Sequence, residues 1–333
     1  MKKINIPKEV YLIIVIIVIV LLLSIRNSAF YGFDNIMGIL KNNSVVGICA
    51  IGMTYIIITG GIDVSVGAFV AAICSLTGYY MMWLGKNVYL NNIFVVISIC
   101  IISGAILGGL NGLLIGQLKI PPIVATLATY SIVRGSIYIF TKGNWVTTDK
   151  LPSWLLNLGD WKIFNIPVQI LIFLLLVLLN WVILKYTVFG RSVYAIGGNS
   201  VSATRVGINQ KKTLIFVYIY MGILIGIAAF VHTSIIKQVD PNSFLNFELQ
   251  VIGVVIVGGT VISGGRGSIF GTLIGVILLG VIRNGMVLAY IPSFWYDIVT
   301  GSILIFAVSF DIILRNRAKS NLKKINIREL EKN

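Results

Sequence analysis

The sequence predicts an all-α, polytopic transmembrane helical bundle of about ten spans with both termini in the cytoplasm. Three observations predict it. Hydrophobic residues make up 57% of the 333 residues and charged residues only 11%, with a mean hydropathy of +0.97, whereas a soluble domain of this size needs far more polar surface. Apolar runs recur along the whole chain at lengths close to the roughly 20 residues that cross the hydrocarbon of a bilayer. The 26 basic residues outnumber the 11 acidic ones, and they collect in alternate connections between those runs.

The runs fall at 10–25, 43–59, 66–84, 93–116, 122–141, 166–184, 213–236, 247–262, 268–289 and 294–313. They leave no room for a separate globular domain, so residues 1–314 read as one transmembrane domain and 315–333 as a basic tail. The first run follows Lys2 and Lys3 in the manner of a signal peptide. No small-x-small cleavage site follows, because the chain continues Ser24-Ile25-Arg26-Asn27, so it reads as a retained span. Ten is even, which places the termini on one side. That side carries Lys2, Lys3, Lys8, Lys119, Lys185, Arg191, Arg205, Lys211, Lys212, Arg266 and the tail, 17 basic residues in all. The other side carries 7: Arg26, Lys41, Lys86, Lys142, Lys150, Lys162 and Lys237. Basic residues favour the cytoplasmic side, which puts both termini there. The net charge of +15 is therefore a membrane-face signal, with the lipid bilayer and not nucleic acid as the partner it implies.

Two connections are long. Residues 142–165 lie outside and hold Trp145, Trp154 and Trp161, which suit the lipid interface. Residues 185–212 lie inside with five basic residues and no Asp or Glu. Cys49, Cys74 and Cys100 sit in apolar runs without CxxC spacing and read as packing residues. His232 is the only histidine and reads as structural or interfacial. No metal site or cofactor is expected in this chain.

The 34 glycines are placed with a pattern. Gly104, Gly108, Gly112 and Gly116 line one face of the fourth run; Gly222 and Gly226, and Gly267, Gly271 and Gly275, share the four-residue spacing. Small residues so spaced let helix backbones approach closely, for tight packing or for helices that slide during transport. A weak internal echo relates Gly60-Gly61-Ile62-Asp63-Val64-Ser65 to Gly258-Gly259-Thr260-Val261-Ile262-Ser263. A second relates Asn111-Gly112 with Ile120-Pro121 to Asn284-Gly285 with Ile291-Pro292. The unequal spacings leave a duplication open.

The glycine pair at 60–61 interrupts a helix and exposes backbone polar groups, which a bilayer tolerates only against protein or water. Asp63 beside it either caps the third span with Ser65 or lies in a pathway. Arg134 and Arg283 fall in apolar runs, where an unpaired cation costs at least ~2.5 kcal/mol. They should face a wet cavity, meet a carboxylate or snorkel to an interface. Asn111 and Asn284 are similarly costly against lipid. These five are the pathway or interhelical candidates.

The most specific constellation lies in the inside loop. Asn199 or Ser200 can cap a short helix and Gly207 can end it in the left-handed conformation. About two turns would result, with a small, smooth surface at Ser202 and Ala203 and basic flanks including Arg205, preceded by Gly197-Gly198. A short capped helix on the cytoplasmic face suits docking into a groove on a soluble partner.

Four stretches, GGIDVSVG from Gly60, NGLLIGQLKIPPIVATLAT from Asn111, GRSVYAIGGNSVSATRVGIN from Gly190 and VVIVGGTVISGGRGSIFGTLIGVILLGVIRN from Val254, together with Ser293-Phe294-Trp295, give the chain a clear likeness. It resembles the permease subunits of ribose-type ABC importers, which serve monosaccharides and related solutes. The resemblance implies a bacterial inner-membrane permease domain whose segment 197–208 contacts a cytoplasmic ATP-binding subunit. It also implies a second permease copy, identical or related, and an extracytoplasmic solute-binding protein. ATP would be bound by the partner, consistent with the lack of a GxxxxGK[ST] loop here. The solute would be a ribose-like monosaccharide, with a furanone autoinducer, a nucleoside or a branched-chain amino acid as alternatives. The chain departs from the family pattern at Gln250, where an acidic residue commonly follows Glu248-Leu249. Of the other classes, an ion-coupled secondary transporter would have only Asp63 as a coupling site. A membrane-embedded enzyme would lack any nucleophile–base or metal set.

Overall fold

The computed structural model describes residues 8–26, 28–85, 91–292, 294–306 and 309. Lys2, Lys3, Lys86, Ser293, the end of the run at 294–313 and the tail 315–333 lie outside the described residues. Helices occupy all ten apolar runs: α1 Lys8–Arg26, α2 Phe33–Ile58, α3 Val66–Leu84, α4 Ile93–Gly116, α5 Pro122–Thr141, α7 Val168–Tyr186, α10 Gln210–Ile236, α11 Phe247–Val257, α12 Ile269–Leu288 and α13 Phe294–Phe306. Between them stand α6 Ser153–Asp160, α8 Val188–Gly198 and α9 Ser200–Arg205, with one small antiparallel pair, Lys162–Ile163 and Ile166–Pro167. Helices keep every backbone bond within the segment, which is why a chain this apolar adopts them. Among the described residues seven, α2, α3, α4, α5, α7, α10 and α12, are long and apolar enough to cross a membrane, and three shorter apolar helices accompany them.

The structure differs from the sequence reading at two helix boundaries of note and in the make-up of both long connections. Helix α2 begins at Phe33, ten residues before the apolar run at 43, because its early polar groups find partners. Asn35 and Asn284 exchange amide hydrogen bonds at 3.1 and 2.9 Å. Lys41 Nζ donates to the Gly159 carbonyl at 2.7 Å, and Asn43 donates to the Ile39 carbonyl at 2.8 Å. Helix α11 stops at Val257 and not at 262, because Gly259 turns left-handed at φ +91°. The outer loop holds α6 and the strand pair, in which Trp154 is packed. Its indole stacks on Phe230 and donates to the Asn91 carbonyl at 3.0 Å; Trp145 and Trp161 are exposed. The loop 185–212 carries the helix α8 that the short-helix expectation omitted.

The glycine stripes serve packing. A Cβ on Gly104 or Gly108 would overlap backbone of Tyr218 and Gly222, and one on Gly222 or Gly226 would overlap backbone at Gly104 and Cys100. Helices α4 and α10 thus meet backbone to backbone. Gly112 and Gly116 continue that seam against Ile215 and Lys211, and Gly271 and Gly275 face the carbonyls of Gly258 and Val254. Gly267 lies before α12 and faces the Thr260 side chain. The three cysteines are buried and free.

The bundle has two distinct ends. At one, here the Gly60 end, the Gly265 amide donates to the Ile58 carbonyl at 2.8 Å and the Tyr194 hydroxyl to the Gly267 carbonyl at 2.7 Å. At the other, the Asp160 end, Lys237 pairs with Asp160 and Val146 bridges Val239. The first internal echo recurs in the structure one residue out of register: Gly61 N–H donates to Ile56 O and Gly60 N–H to Ile57 O, as Thr260 N–H does to Val255 O and Gly259 N–H to Ile256 O, so Gly60 matches Gly259 and not Gly258. The second is not part of the same repeat. Ile120 and Pro121 border a cleft with Gly60, whereas Asn284 sits with Asn35 at the start of α2, toward the Asp160 end.

Candidate functional site: a polar cavity, a buried carboxylate chain and a capped surface helix

The five pathway candidates separate into three places. Arg283 and Asn284 border a cavity of about 560 Å³ between α2, α10, α11 and α12, together with Asn42, Asn43, His232 and Gln250. That volume falls within the range of small-molecule sites. The ring of Phe244 forms part of the wall, edge-on to His232 at 4.4 Å and to Phe247 at 4.9 Å. Amides, an imidazole and a guanidinium beside aromatic faces can hydrogen-bond a polar solute and offer it a flat apolar surface. Arg283 also lies over the Tyr296 ring at 5.2 Å. The sequence reading found two of these polar residues. It missed Asn42 and Asn43 because the span was begun at 43. The sequence alone makes His232 structural or interfacial and marks Gln250 only as a departure from a pattern. Paired amides in an apolar run were the signal that could have found the first two.

Arg134 does not line that cavity. It is buried, and its guanidinium donates to the carbonyls of Pro241 at 3.1 Å, Ser243 at 3.0 Å and Phe244 at 3.3 Å. Tyr130 lies 5.6 Å from it. Backbone carbonyls of the α10–α11 connection take the donors of its two terminal nitrogens, while its Nε finds no partner among the described residues. Arg134 thereby holds the backbone of Phe244, whose side chain walls the cavity.

Asp63 and Asn111 belong together at the other end. The Asp63 Oδ1 accepts from the Ser65 amide at 2.8 Å and the Ser65 hydroxyl at 2.5 Å. Asn111 Nδ2 donates to Ser65 Oγ at 2.9 Å, and the Thr129 hydroxyl donates to Asn111 Oδ1 at 2.8 Å. The chain of donors from α5 through α4 to the 59–65 connection ends on the carboxylate, which is 1% exposed. Part of the helix-cap expectation holds, since Asp63 accepts the Ser65 amide ahead of α3.

Burial pushes the Asp63 carboxyl up to about 6, against the pull of its Ser65 hydrogen bonds. A folded-state value above the unfolded value near 3.9 means the folded protein holds this proton more tightly. The contribution of Asp63 to stability is then greatest when it is protonated, and declines as pH rises from about 4 to about 6. In Asp63→Asn that dependence is absent. Thermal midpoints measured from pH 4.5 to 7 should show wild type losing ground to the variant across the window; parallel curves would remove this account.

The capped helix forms where expected. Asn199 Oδ1 accepts from the Ser202 amide at 2.9 Å, and Gly207 is left-handed at φ +87°. Ala203, however, is buried and gives no smooth surface, because it is the residue by which α9 rests on the bundle. The exposed residues are Ser202, Thr204, Arg205 and Gly207 and, unexpectedly, Val201 and Val206 at 61% and 77%. The two preceding glycines differ. A Cβ on Gly197 would overlap the Ile58 carbonyl, whereas one on Gly198 meets nothing. In the connections 59–65, 117–121, 185–212 and 258–268, which form this end, seven residues are basic and one, the buried Asp63, is acidic.

Comparison with known proteins follows the same lines. The chain is similar to the ribose import permease protein of Haemophilus influenzae, 35% identical over 292 residues that cover 87% of this chain and 88% of the relative. It is 38% identical to the ribose import permease protein of Bacillus subtilis, with the same coverage. To the autoinducer 2 import system permease protein of Yersinia pseudotuberculosis it is 31% identical over 304 residues, 91% of this chain and 84% of that one. No solved structure matches it significantly. A family profile described as branched-chain amino acid transport system / permease component matches residues 35–308. The chain is a multi-pass membrane permease and belongs to that family.

Proposed function

We propose that this chain is the membrane-spanning subunit of an ATP-driven importer that carries a ribose-like monosaccharide across the bacterial inner membrane. The observation that carries the reading is the opposition of the two ends: a polar cavity borders Arg283 and Asn284, and a capped helix stands on the basic Gly60 end. In this reading the Gly60 end is cytoplasmic, as the positive-inside bias favours, and both termini lie there, including the tail 315–333. Ten crossings then include α1, α11 and α13. Eleven residues of α11 span about 16 Å, roughly half the hydrocarbon, and the Gly258–Ser268 backbone packed against Ile58 and Gly197 completes that crossing inside protein.

The chain itself catalyses no reaction. A separate cytoplasmic subunit binds and hydrolyses ATP and bears on α9, with Gly198, Asn199, Ser202 and Arg205 at or beside the contact and Gly197, Ala203 and Gly207 shaping it. An extracytoplasmic binding protein delivers the solute to the Asp160 end. A second permease copy, identical or related, covers the apolar outward faces of α4 and α5. Names of the relatives support ribose, and the autoinducer permeases support a furanone as the second solute. Asp63 is a structural terminus of the Ser65–Asn111–Thr129 chain and not an ion-coupling site, so Asp63→Asn should retain ATP-driven uptake.

The test is reconstitution with a cytoplasmic ATPase and a solute-binding protein from the same organism. Ribose-loaded binding protein should stimulate ATP hydrolysis and drive labelled ribose into vesicles. Stimulation by a furanone and not by ribose would transfer the assignment to the autoinducer. Uptake that follows an imposed ion gradient without ATP would overturn it.

A further inference from the structure

The Gly60 end carries more than α9. Beside it lies an open cleft of about 810 Å³ bordered by Gly60 of the α2–α3 turn, Lys119 and Pro121 of the α4–α5 turn, Thr204 of α9 and Lys211 at the start of α10. Among the described residues no carboxylate borders it. Leu118, next to Lys119, is 63% exposed, an apolar side chain standing in what the importer reading makes the cytoplasm. Lys119 itself is left-handed at φ 58°, a conformation at the end of a helix that glycine adopts freely and a lysine adopts at a cost. The chain keeps a cation there in spite of that cost. Residues 117–121 also join α4 to α5, the helices that carry Asn111 and Thr129 of the Asp63 chain.

From this we infer a second docking point for the ATP-hydrolysing subunit: an acidic segment of that partner enters the cleft between the α4–α5 turn and α9, with Lys119 and Lys211 as its counter-charges. The inference rests on the importer reading. Charge complementarity selects the occupant, since a cleft with two ammonium groups and, among the described residues, no carboxylate favours an anionic partner. Continuity supports it as well, since Thr204 belongs both to the cleft wall and to the helix assigned to the same partner. The consequence is mechanical. Closure of the partner would pull on the α4–α5 turn as well as on α9, and so on the polar chain that ties both helices to the α2–α3 break.

Site-specific crosslinking in the assembled importer tests it. The three native cysteines are buried, so a photoactivatable thiol reagent will report Leu118→Cys, and in a parallel preparation Val201→Cys on α9. The expected result is a product joining Leu118→Cys to the ATPase through a peptide rich in Asp and Glu. Lys119→Glu with Lys211→Glu should reduce it at least fivefold at low salt while the Val201→Cys product persists. Capture of the ATPase from position 201 but not from 118, or capture of phospholipid at 118, would overturn the second docking point and leave the importer reading intact. Absence of ATPase at both positions would overturn the importer reading and this inference with it.

Discussion

Gly222→Val will leave almost no folded protein in the membrane, and Gly222→Ala will lower the thermal midpoint sharply. Any Cβ at this position falls on the carbonyl of Gly104 and against the backbone of Gly108. Overpacking of a core ordinarily costs ~1–3 kcal/mol because side chains move aside. Here the obstacle is backbone, which cannot rotate away. The two helices must separate along a seam that also holds Gly104, Gly108 and Gly226. In a bilayer such seams are held by close packing, since lipid offers no hydrophobic drive to bring helices together. Gly135 in α5 is the matched control, a helical glycine whose Cβ would meet nothing within 4 Å. Gly135→Ala should be neutral or stabilising by up to ~1 kcal/mol, the difference in helix propensity. Yield of monodisperse protein and thermal midpoint in detergent read both variants. Equal tolerance of alanine at 222 and 135 would dismiss the seam as a determinant of the fold.

That seam shows what one sequence makes legible. Four glycines at four-residue spacing announce a helix face with no side chains, and α4 has that face. What spacing does not carry is the partner, because Gly222–Gly226, Gly271–Gly275 and a lipid-facing stripe look alike until the chain is folded. Each apolar run holds a helix, and among the described residues seven of those ten are long and apolar enough to cross a membrane, since that length is a property of the run itself. The runs failed at the start of α2, where Asn35 and Lys41 are tolerated by partners 249 and 118 residues away. The same remoteness hid the site. Asn42, His232, Gln250 and Arg283 border one cavity from four helices, and nothing local to any of them says so. Arg134 is the clearest case. A cation in an apolar run signals a partner, but three backbone carbonyls have no residue-type signature. The capped helix was legible because caps are local, Asn199 and Gly207 acting within a few residues. Which of its side chains face outward was not, because Ala203 is turned inward by the bundle beneath.

Val206→Asp will uncouple ATP hydrolysis from transport while leaving the protein folded. Helix α9 is held from below, by the Asn199 cap, by buried Ala203 and by the left-handed Gly207, onto which the Ile208 amide closes a hydrogen bond with the Ala203 carbonyl at 3.1 Å. None of these involves the side chain of Val206, which is 77% exposed. The substitution should therefore not move the thermal midpoint, as exposed changes seldom exceed about 0.5 kcal/mol. Two valines kept in water, Val201 on a six-residue helix and Val206 at its C-cap, have no use within the fold, so their cover comes from outside. A carboxylate carried into a dry contact without a partner costs several kcal/mol, and about 1.4 kcal/mol is a tenfold change. Uptake by the reconstituted importer should fall at least tenfold, as should stimulation of the ATPase by the loaded binding protein. Arg205→Glu and Gly198→Asp should act in the same direction, the latter without steric penalty because the space around Gly198 is open. Gly197→Ala should instead destabilise the fold, since its Cβ meets the Ile58 carbonyl. Normal stimulation in Val206→Asp would show that α9 is not the contact through which hydrolysis reaches the membrane.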